Sequence, residues 1–317
     1  MIDTIICGDC LEVMPQIPAK SVNLAILDLP YNIKKATWDS IPAYMTFVGS
    51  VFAECERVLK DNGSLYWFHN DFNTIVDVYT WLRDNSRFVF KQFIVWNKKF
   101  KGAAIEGYLQ GCYEIEGNRN YRRFAEYILY YTFQDETGLT QIYGNDDCFK
   151  PIKEYMQHEK GKAGLKTCEQ INRLLGVPAT GGGTASHHFS DKAGAHWALP
   201  TEETYKKLQT TGYFNRDYEE LRAEYEELRY TFNNQKTHHS VWNYSIAEKN
   251  GHITPKPIKL IETIIEHSTN DGDTVLDPTA GSGTTAVACK RSDRHYICIE
   301  KEPEYCAIAE KRLAEML

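Results

Sequence analysis

The sequence predicts an α/β fold: a doubly wound, mostly parallel sheet interrupted by a long, mostly helical insertion. Three observations lead there. Residues 1–100 and 245–317 alternate short β-branched or aromatic runs with helix-period segments, the residues between them abandon that alternation, and two apolar strands each end at an acid followed by a turn. In chain order, strands are expected at residues 4–7, 22–27, 64–69 and 88–96, with a helix at 44–59 on the spacing of Phe47, Val51 and Val58. The same pattern resumes as helix 257–266, strand 274–276, helix 284–290, strand 296–299 and helix 303–313. Both ends therefore read as one domain, 1–100 with 245–317, and residues 101–244 as an insert.

Inside the insert there is one β-like run, at residues 127–133, while Gly161, Gly164 and Gly181-Gly182-Gly183 mark loops. Between Lys150 and Lys207 nine Lys and Arg residues face six Asp and Glu residues, a local positive excess. A repeat follows, Tyr218-Glu219-Glu220-Leu221-Arg222 and Tyr225-Glu226-Glu227-Leu228-Arg229. It aligns Tyr218, Leu221, Tyr225 and Leu228 as a narrow apolar seam, open to packing on its own domain or on a second copy.

The chain has 317 residues, with 36 Lys and Arg against 43 Asp and Glu and a net charge of −7. Coating nucleic acid through phosphate neutralisation is a poor fit to that balance, although a locally basic cleft is not excluded. Nine cysteines without the dense spacing of small secreted scaffolds fit a reducing compartment. The start, Met1-Ile2-Asp3-Thr4, has no basic leader, and no run approaches the ~18–20 apolar residues of a membrane span, so a cytoplasmic protein with no membrane partner is expected. Cys7-Gly8-Asp9-Cys10 lacks a companion pair, and His187-His188 and His238-His239 are adjacent residues, so buried thiols are expected at Cys7 and Cys10 and no metal site.

Two motifs carry chemistry. Leu24-Ala25-Ile26-Leu27-Asp28-Leu29-Pro30-Tyr31 delivers a carboxylate, a carbonyl followed by proline and an aromatic ring at a strand's carboxyl end. Val275-Leu276-Asp277-Pro278-Thr279-Ala280-Gly281-Ser282-Gly283-Thr284-Thr285-Ala286 ends another strand at an acid and turns through glycines into a helix, a shape that cradles nucleotide-like ligands. On glycine spacing alone the second motif also satisfies a dinucleotide fingerprint, with Glu300 placed to hold ribose, which leaves a nicotinamide-dependent oxidoreductase open.

Together the motifs resemble the β-class amino-group DNA methyltransferases, with the catalytic motif early and the cofactor loop late, as in phage and restriction-modification enzymes. That resemblance implies a Rossmann-like methyltransferase sheet and S-adenosylmethionine as cofactor. It implies a catalytic set of Asp28, Leu29, Pro30 and Tyr31. It further implies a cofactor set of Asp9, Cys10, Asp277, Pro278, Ala280, Gly281, Ser282, Gly283, Thr284, Thr285, Glu300 and, from Thr254-Pro255-Lys256-Pro257, Lys256. Two positions depart from the family pattern: Leu29 stands for a proline and Thr279 for a phenylalanine.

The implied reaction is methyl transfer to the N6 amino group of adenine flipped out of duplex DNA, with cytosine N4 as the alternative base. An exocyclic amine is a poor nucleophile, so Asp28 and the Leu29 carbonyl would hold its two N–H groups while Tyr31 stacks on the base. The insert resembles the target-recognition regions of such enzymes, with Ser186, His187, His188 and Lys192 expected to touch DNA. A DNA-binding module without activity, a homodimer and a restriction endonuclease partner stay open on sequence.

Overall fold

The computed structural model describes residues 2–34, 37–104, 124–133, 149–178, 187–189, 197–228, 231–232, 238–248, 251 and 254–316. The chain forms two compact units, Met1–Phe133 with Thr231–Leu317, and Gln134–Tyr230.

The strands of the first unit are β1 (Thr4–Cys7), β2 (Val22–Leu27), β3 (Leu59–His69), β4 (Val89–Asn97), β5 (Ala125–Thr132), β6 (Val241–Asn243), β7 (Thr274–Asp277) and β8 (His295–Glu300). The α-helices given bounds among the described residues are α1 (Cys10–Val13), α2 (Tyr44–Val58), α3 (Phe72–Asn85), α4 (Lys150–Lys162), α5 (Cys168–Leu175), α6 (Glu202–Gln209), α7 (Tyr218–Leu228), α8 (Ile258–Ser268), α9 (Thr284–Arg291) and α10 (Pro303–Ala314). None among the described residues is long and apolar enough to cross a membrane.

One sheet holds all eight strands in the order β1-β8-β7-β2-β3-β5-β4-β6, and every pairing is parallel except the two made by β5. Strand β2 shows why residues 24–27 form an unbroken apolar run. Leu24 and Ile26 enter the core on one face of the sheet, Ala25 and Leu27 the core on the other. Helices α2 and α3 cover one face through Val48, Val51, Phe52, Ile75, Val78 and Leu82; α8 and α9 cover the opposite face through Leu260, Ile261, Ile264, Ala286 and Ala288. Arg57 ties the layers, its guanidinium donating to the Met14 and Ile17 carbonyls at 2.7 and 2.8 Å.

Most expected elements fall within two residues of their observed bounds. Strand β3 starts five residues earlier than expected, at Leu59, with a break in its register against β2 between Val22 and Leu24. Gly63 sits in that stretch because a Cβ there would come within 2.9 Å of the Lys60 carbonyl and 3.2 Å of that of Asn23. Helix α3 was not anticipated; Asp71 caps it, accepting from the Thr74 amide at 3.0 Å. Residues 101–244, expected as an insert, contribute β5 and β6 to the sheet, and the second unit is the shorter span Gln134–Tyr230.

The second unit packs α4 to α7 around Ile152, Met156, Ile171, Leu175, Tyr205, Leu208, Phe214 and Leu221. A reciprocal cap between Thr167 and Gln170 starts α5, and Gly176 ends it in the left-handed conformation at φ +74°. The repeated seam packs on its own unit: Leu221 is fully buried, and the Tyr225 ring stacks on Phe149 with centroids 4.8 Å apart. Several of the nine cations of the basic span pair with acids one helical turn away, among them Arg173 with Glu169, Lys206 with Glu202 and Lys207 with Glu203.

Gly283 caps α9 at φ +73°, and a Cβ there would lie 2.6 Å from the Cβ of Ala309. Gly283→Ala should therefore lower the unfolding free energy by about 2 kcal/mol, from left-handed strain plus overpacking, measured by urea denaturation followed by circular dichroism.

Candidate active site

The chain leaves β2 toward β3 on one side and β7 toward β8 on the other, so the sheet changes direction between β2 and β7. Open α/β sheets place ligands outside the carboxyl ends of strands at such a point. Here a cavity of about 580 Å³ opens, lined by Asp9, Cys10, Asp28, Leu29, Pro30, Tyr31, Lys256, Asp277, Pro278, Ala280, Gly281, Ser282, Thr284, Thr285 and Glu300. The two motifs, more than 240 residues apart along the chain, thus meet in one place with the flanking segments at Asp9 and Lys256. Gly283 does not line the cavity; it backs onto Ala309.

The turn after β2 is held from three directions. Leu29 is buried in the core under α2, the Pro30 carbonyl accepts from the Tyr44 hydroxyl at 2.8 Å, and Asn32 adopts a left-handed conformation at φ +56°. Buried Asp39 clamps the turn, accepting from the Asn32 amide at 2.7 Å and the Ile33 amide at 3.2 Å. Asn32 in turn accepts from the Ile41 amide at 2.8 Å. His69, fully buried at the end of β3, lies against Tyr31 with ring centroids 4.6 Å apart. Its Nδ1 accepts from the Asp71 amide at 3.0 Å, and burial holds its pKa below the usual histidine range.

Around Tyr31 stand four charged groups. Lys256 Nζ lies 2.5 Å from Asp28 Oδ2 and 3.6 Å from Glu126 Oε2, and it donates to the Tyr31 hydroxyl at 3.5 Å. The Tyr31 hydroxyl donates to Glu126 Oε2 at 3.2 Å, and the other Glu126 oxygen accepts from Lys98. The Lys256 and Glu126 side chains are only 10% and 14% exposed. Burial alone would raise the Glu126 pKa, but Lys256 and Lys98 outweigh it and hold the carboxyl at about 2. Burial likewise opposes the charged form of Lys256, and Asp28 and Glu126 overcome it, raising that pKa. Burial, with Asp28 and Glu126 beside it, raises the Tyr31 phenol well above its ordinary value, so the ring stays protonated.

Lys256, expected at the cofactor, is thus paired with the expected catalytic carboxylate. Glu126, Lys98 and His69 were not anticipated. The available signal was a single carboxylate, Glu126, in an otherwise apolar strand-like run. It reaches the site because β5 is reversed: its start lies beside the carboxyl ends of β3 and β4, with Tyr127 opposite His69 and Ala125 opposite Asn97.

The second motif is organised by its acid. Asp277 is buried, accepting from the Thr279 amide at 3.1 Å and the Thr285 hydroxyl at 2.5 Å. Burial outweighs both hydrogen bonds and pushes its pKa up to about 7. Glu300, its pKa also raised by burial, accepts from the Gly281 amide at 2.7 Å and the Glu302 amide at 2.8 Å. The Thr279 hydroxyl is buried at the cavity wall without a hydrogen-bond partner among the described residues. At the end of β1, Asp9 caps α1 through the Leu11 amide at 2.9 Å and pairs with Lys301 at 2.9 Å. Cys10 is buried, with burial lifting its thiol to about 12, whereas Cys7, expected buried, is exposed at the end of the edge strand β1.

Among the residues expected to touch DNA, Ser186 and Lys192 lie outside the described residues. His187 is exposed. His188 is half-buried, its Nδ1 2.7 Å from the Ala198 carbonyl while its own carbonyl accepts from Trp197, so it is committed to the packing of its unit.

A family model described as DNA methylase matches residues 22–311. The chain is 27% identical over 303 residues to the type II methyltransferase M1.MboII of Moraxella bovis, covering 94% of this chain and 91% of the relative. It is 28% identical over 326 residues to the DNA adenine methyltransferase YhdJ of Escherichia coli K12, covering 98% and 82%. Among solved structures, a DNA modification methylase of Thermus thermophilus superposes with a TM-score of 0.54 at 20% identity, covering 98% of this chain and 94% of that one. The cytosine-N4-specific PvuII DNA methyltransferase does so with 0.55 at 15% identity, covering 98% and 85%. Both share the Rossmann-like methyltransferase architecture described above.

The Asp277 shift has a thermodynamic consequence. Its folded pKa lies above the unfolded value, so between about pH 4 and 7 the folded state holds the extra proton and stability falls as pH rises. Asn can keep both hydrogen bonds without titrating. Urea midpoints taken across that window should fall more steeply for the wild type than for Asp277→Asn, by a total of about 1–4 kcal/mol.

Proposed function

The chain belongs to the N6/N4 DNA methylase family, and on that premise we propose that it transfers a methyl group from S-adenosylmethionine to the N6 amino group of adenine in duplex DNA. The observation that carries the proposal is the placing of the Asp28 carboxylate and the Tyr31 ring on the wall of the cavity formed by the glycine loop. A nicotinamide-dependent oxidoreductase would leave Asp28 to Tyr31 without a task.

The cavity suits the cofactor. Its volume falls in the range that encloses ligands of this size, and the unpartnered, buried Thr279 hydroxyl offers a hydrogen bond to a polar group. Asp277 and Glu300, at the carboxyl ends of β7 and β8, line the space as hydrogen-bonding acids for the polar groups of the cofactor. Asp9 with Cys10, Glu300, and the loop from Asp277 to Thr285 are the residues we assign to holding it. When bound, S-adenosylmethionine supplies an electrophilic methyl carbon.

The protein's own part is positioning. A flipped base would lay one face on the Tyr31 ring, whose other contacts are His69 and the hydroxyl network. Asp28 accepts one amine hydrogen and the Leu29 carbonyl the second, turning the nitrogen lone pair toward the methyl group. With the turn fixed by Tyr44 and Asp39, these acceptors need little reorganisation. The leaving proton passes to Asp28. A carboxylate in that position, and a relative named as a DNA adenine methyltransferase, support adenine over cytosine. We assign target reading to the second unit, where His187 is the exposed candidate among the described residues.

Asp28→Ala should reduce methyl incorporation into unmethylated genomic DNA by at least about 1,000-fold while the dissociation constant for S-adenosylmethionine stays within about threefold. Nucleoside digestion of wild-type product should yield N6-methyladenine; N4-methylcytosine would overturn the choice of base, and absence of any methylated nucleoside would leave a DNA-binding module.

A further inference from the structure

We propose that Lys256 is a movable counter-ion that masks Asp28 in the resting enzyme and passes to Glu126 when the target amine arrives, which makes Glu126 a positioning residue for the methylation step. The inference rests on the reading of Asp28 as the amine acceptor. An ammonium 2.5 Å from Asp28 Oδ2 takes up one carboxylate oxygen and offsets the negative charge that has to receive the amine's proton, so a fully available Asp28 requires it to move away.

The lysine cannot simply withdraw. Its side chain is 10% exposed, and a buried ammonium without a counter-charge is strongly destabilising. A second carboxylate, however, already stands within ion-pair distance, Glu126 Oε2 at 3.6 Å. The Tyr31 hydroxyl lies between the two, accepting from Lys256 at 3.5 Å and donating to Glu126 at 3.2 Å. Lys256 can therefore exchange carboxylates without leaving the protein's charge network.

The charges also select when the exchange occurs. Asp28 and Glu126 balance Lys256 and Lys98 in the resting site. Once the ammonium leaves Asp28, a bound sulfonium takes over as the nearby cation, so cofactor binding favours the unmasked state. Glu126 thus acts through Lys256, deciding whether Asp28 is available. Its position on the reversed strand β5 is what brings a second carboxylate within the lysine's reach.

The test is a reversal of sign in a double variant. Glu126→Gln removes the lysine's destination and should lower kcat about 100-fold on unmethylated genomic DNA, with KM for S-adenosylmethionine within about threefold. Adding Lys256→Met removes the mask, and the double variant should recover at least about tenfold over Glu126→Gln alone. A double variant no faster than the single one, beside an active wild type, would overturn the handover and leave Glu126 a structural role. Where Glu126→Gln does not fold, Glu126→Asp, which keeps the charge and shortens the reach, enters the same comparison with and without Lys256→Met. A wild-type chain that transfers no methyl group at all would instead overturn the assignment of Asp28 itself.

Discussion

Two carboxylates and two ammonium groups share a poorly solvated pocket around one tyrosine, and this balance is what the rest of the site depends on. Desolvation opposes the ionised form of both Glu126 and Lys256, and the opposite charges beside them, with the Tyr31 hydroxyl donating to Glu126, outweigh it. The sheet supplies the geometry. Parallel strands β2 and β7 bring their acids to one edge, and the single reversed strand, β5, brings Glu126 to the same edge by its beginning rather than its end. A parallel strand in that place would have delivered the opposite terminus.

The parts of the fold that were legible in sequence are those where burial is two-sided or strictly periodic. Strands β2, β7 and β8 have apolar interiors (Leu24–Leu27, Val275–Leu276, Tyr296–Ile299) because helices cover both faces, and their carboxyl ends carry or precede the acids that mark the site. Helix α3 was obscured because Phe72, Val76 and Tyr79 are exposed, so apolar residues occupy most of its circumference and the buried row of Ile75, Val78 and Leu82 does not stand out. Helix α4 fails in the opposite way. Glu159 lies in its buried row, satisfied by Lys162 and the Phe214 amide, and interrupts the apolar pattern.

The site shows the same division. Motif residues adjacent in sequence could be read as a group, and the structure brings every expected catalytic and cofactor residue except Gly283 to the cavity wall. The role of Glu126 depends on Lys98 and Lys256, 28 residues before it and 130 after it, a relation that no local spacing encodes. The positive excess of the insert was equally non-local in meaning. Counted along the chain it suggests a basic face; folded, several of its cations are already paired one helical turn away, and the pairs are solvent-exposed, where each contributes little to stability.

The clasp on the turn after β2 explains how the chain tolerates Leu29 where the family pattern has proline. A proline ring stiffens a loop through its own covalent geometry. Here stiffness comes from outside the tetrapeptide, from the Tyr44 hydroxyl on the Pro30 carbonyl and from Asp39 gathering two successive amides. The vulnerability of the turn has moved with it. Position 29 is left to any residue that fills the core, while a tyrosine on a neighbouring helix and an aspartate further along the chain have become the side chains whose loss the turn could not absorb.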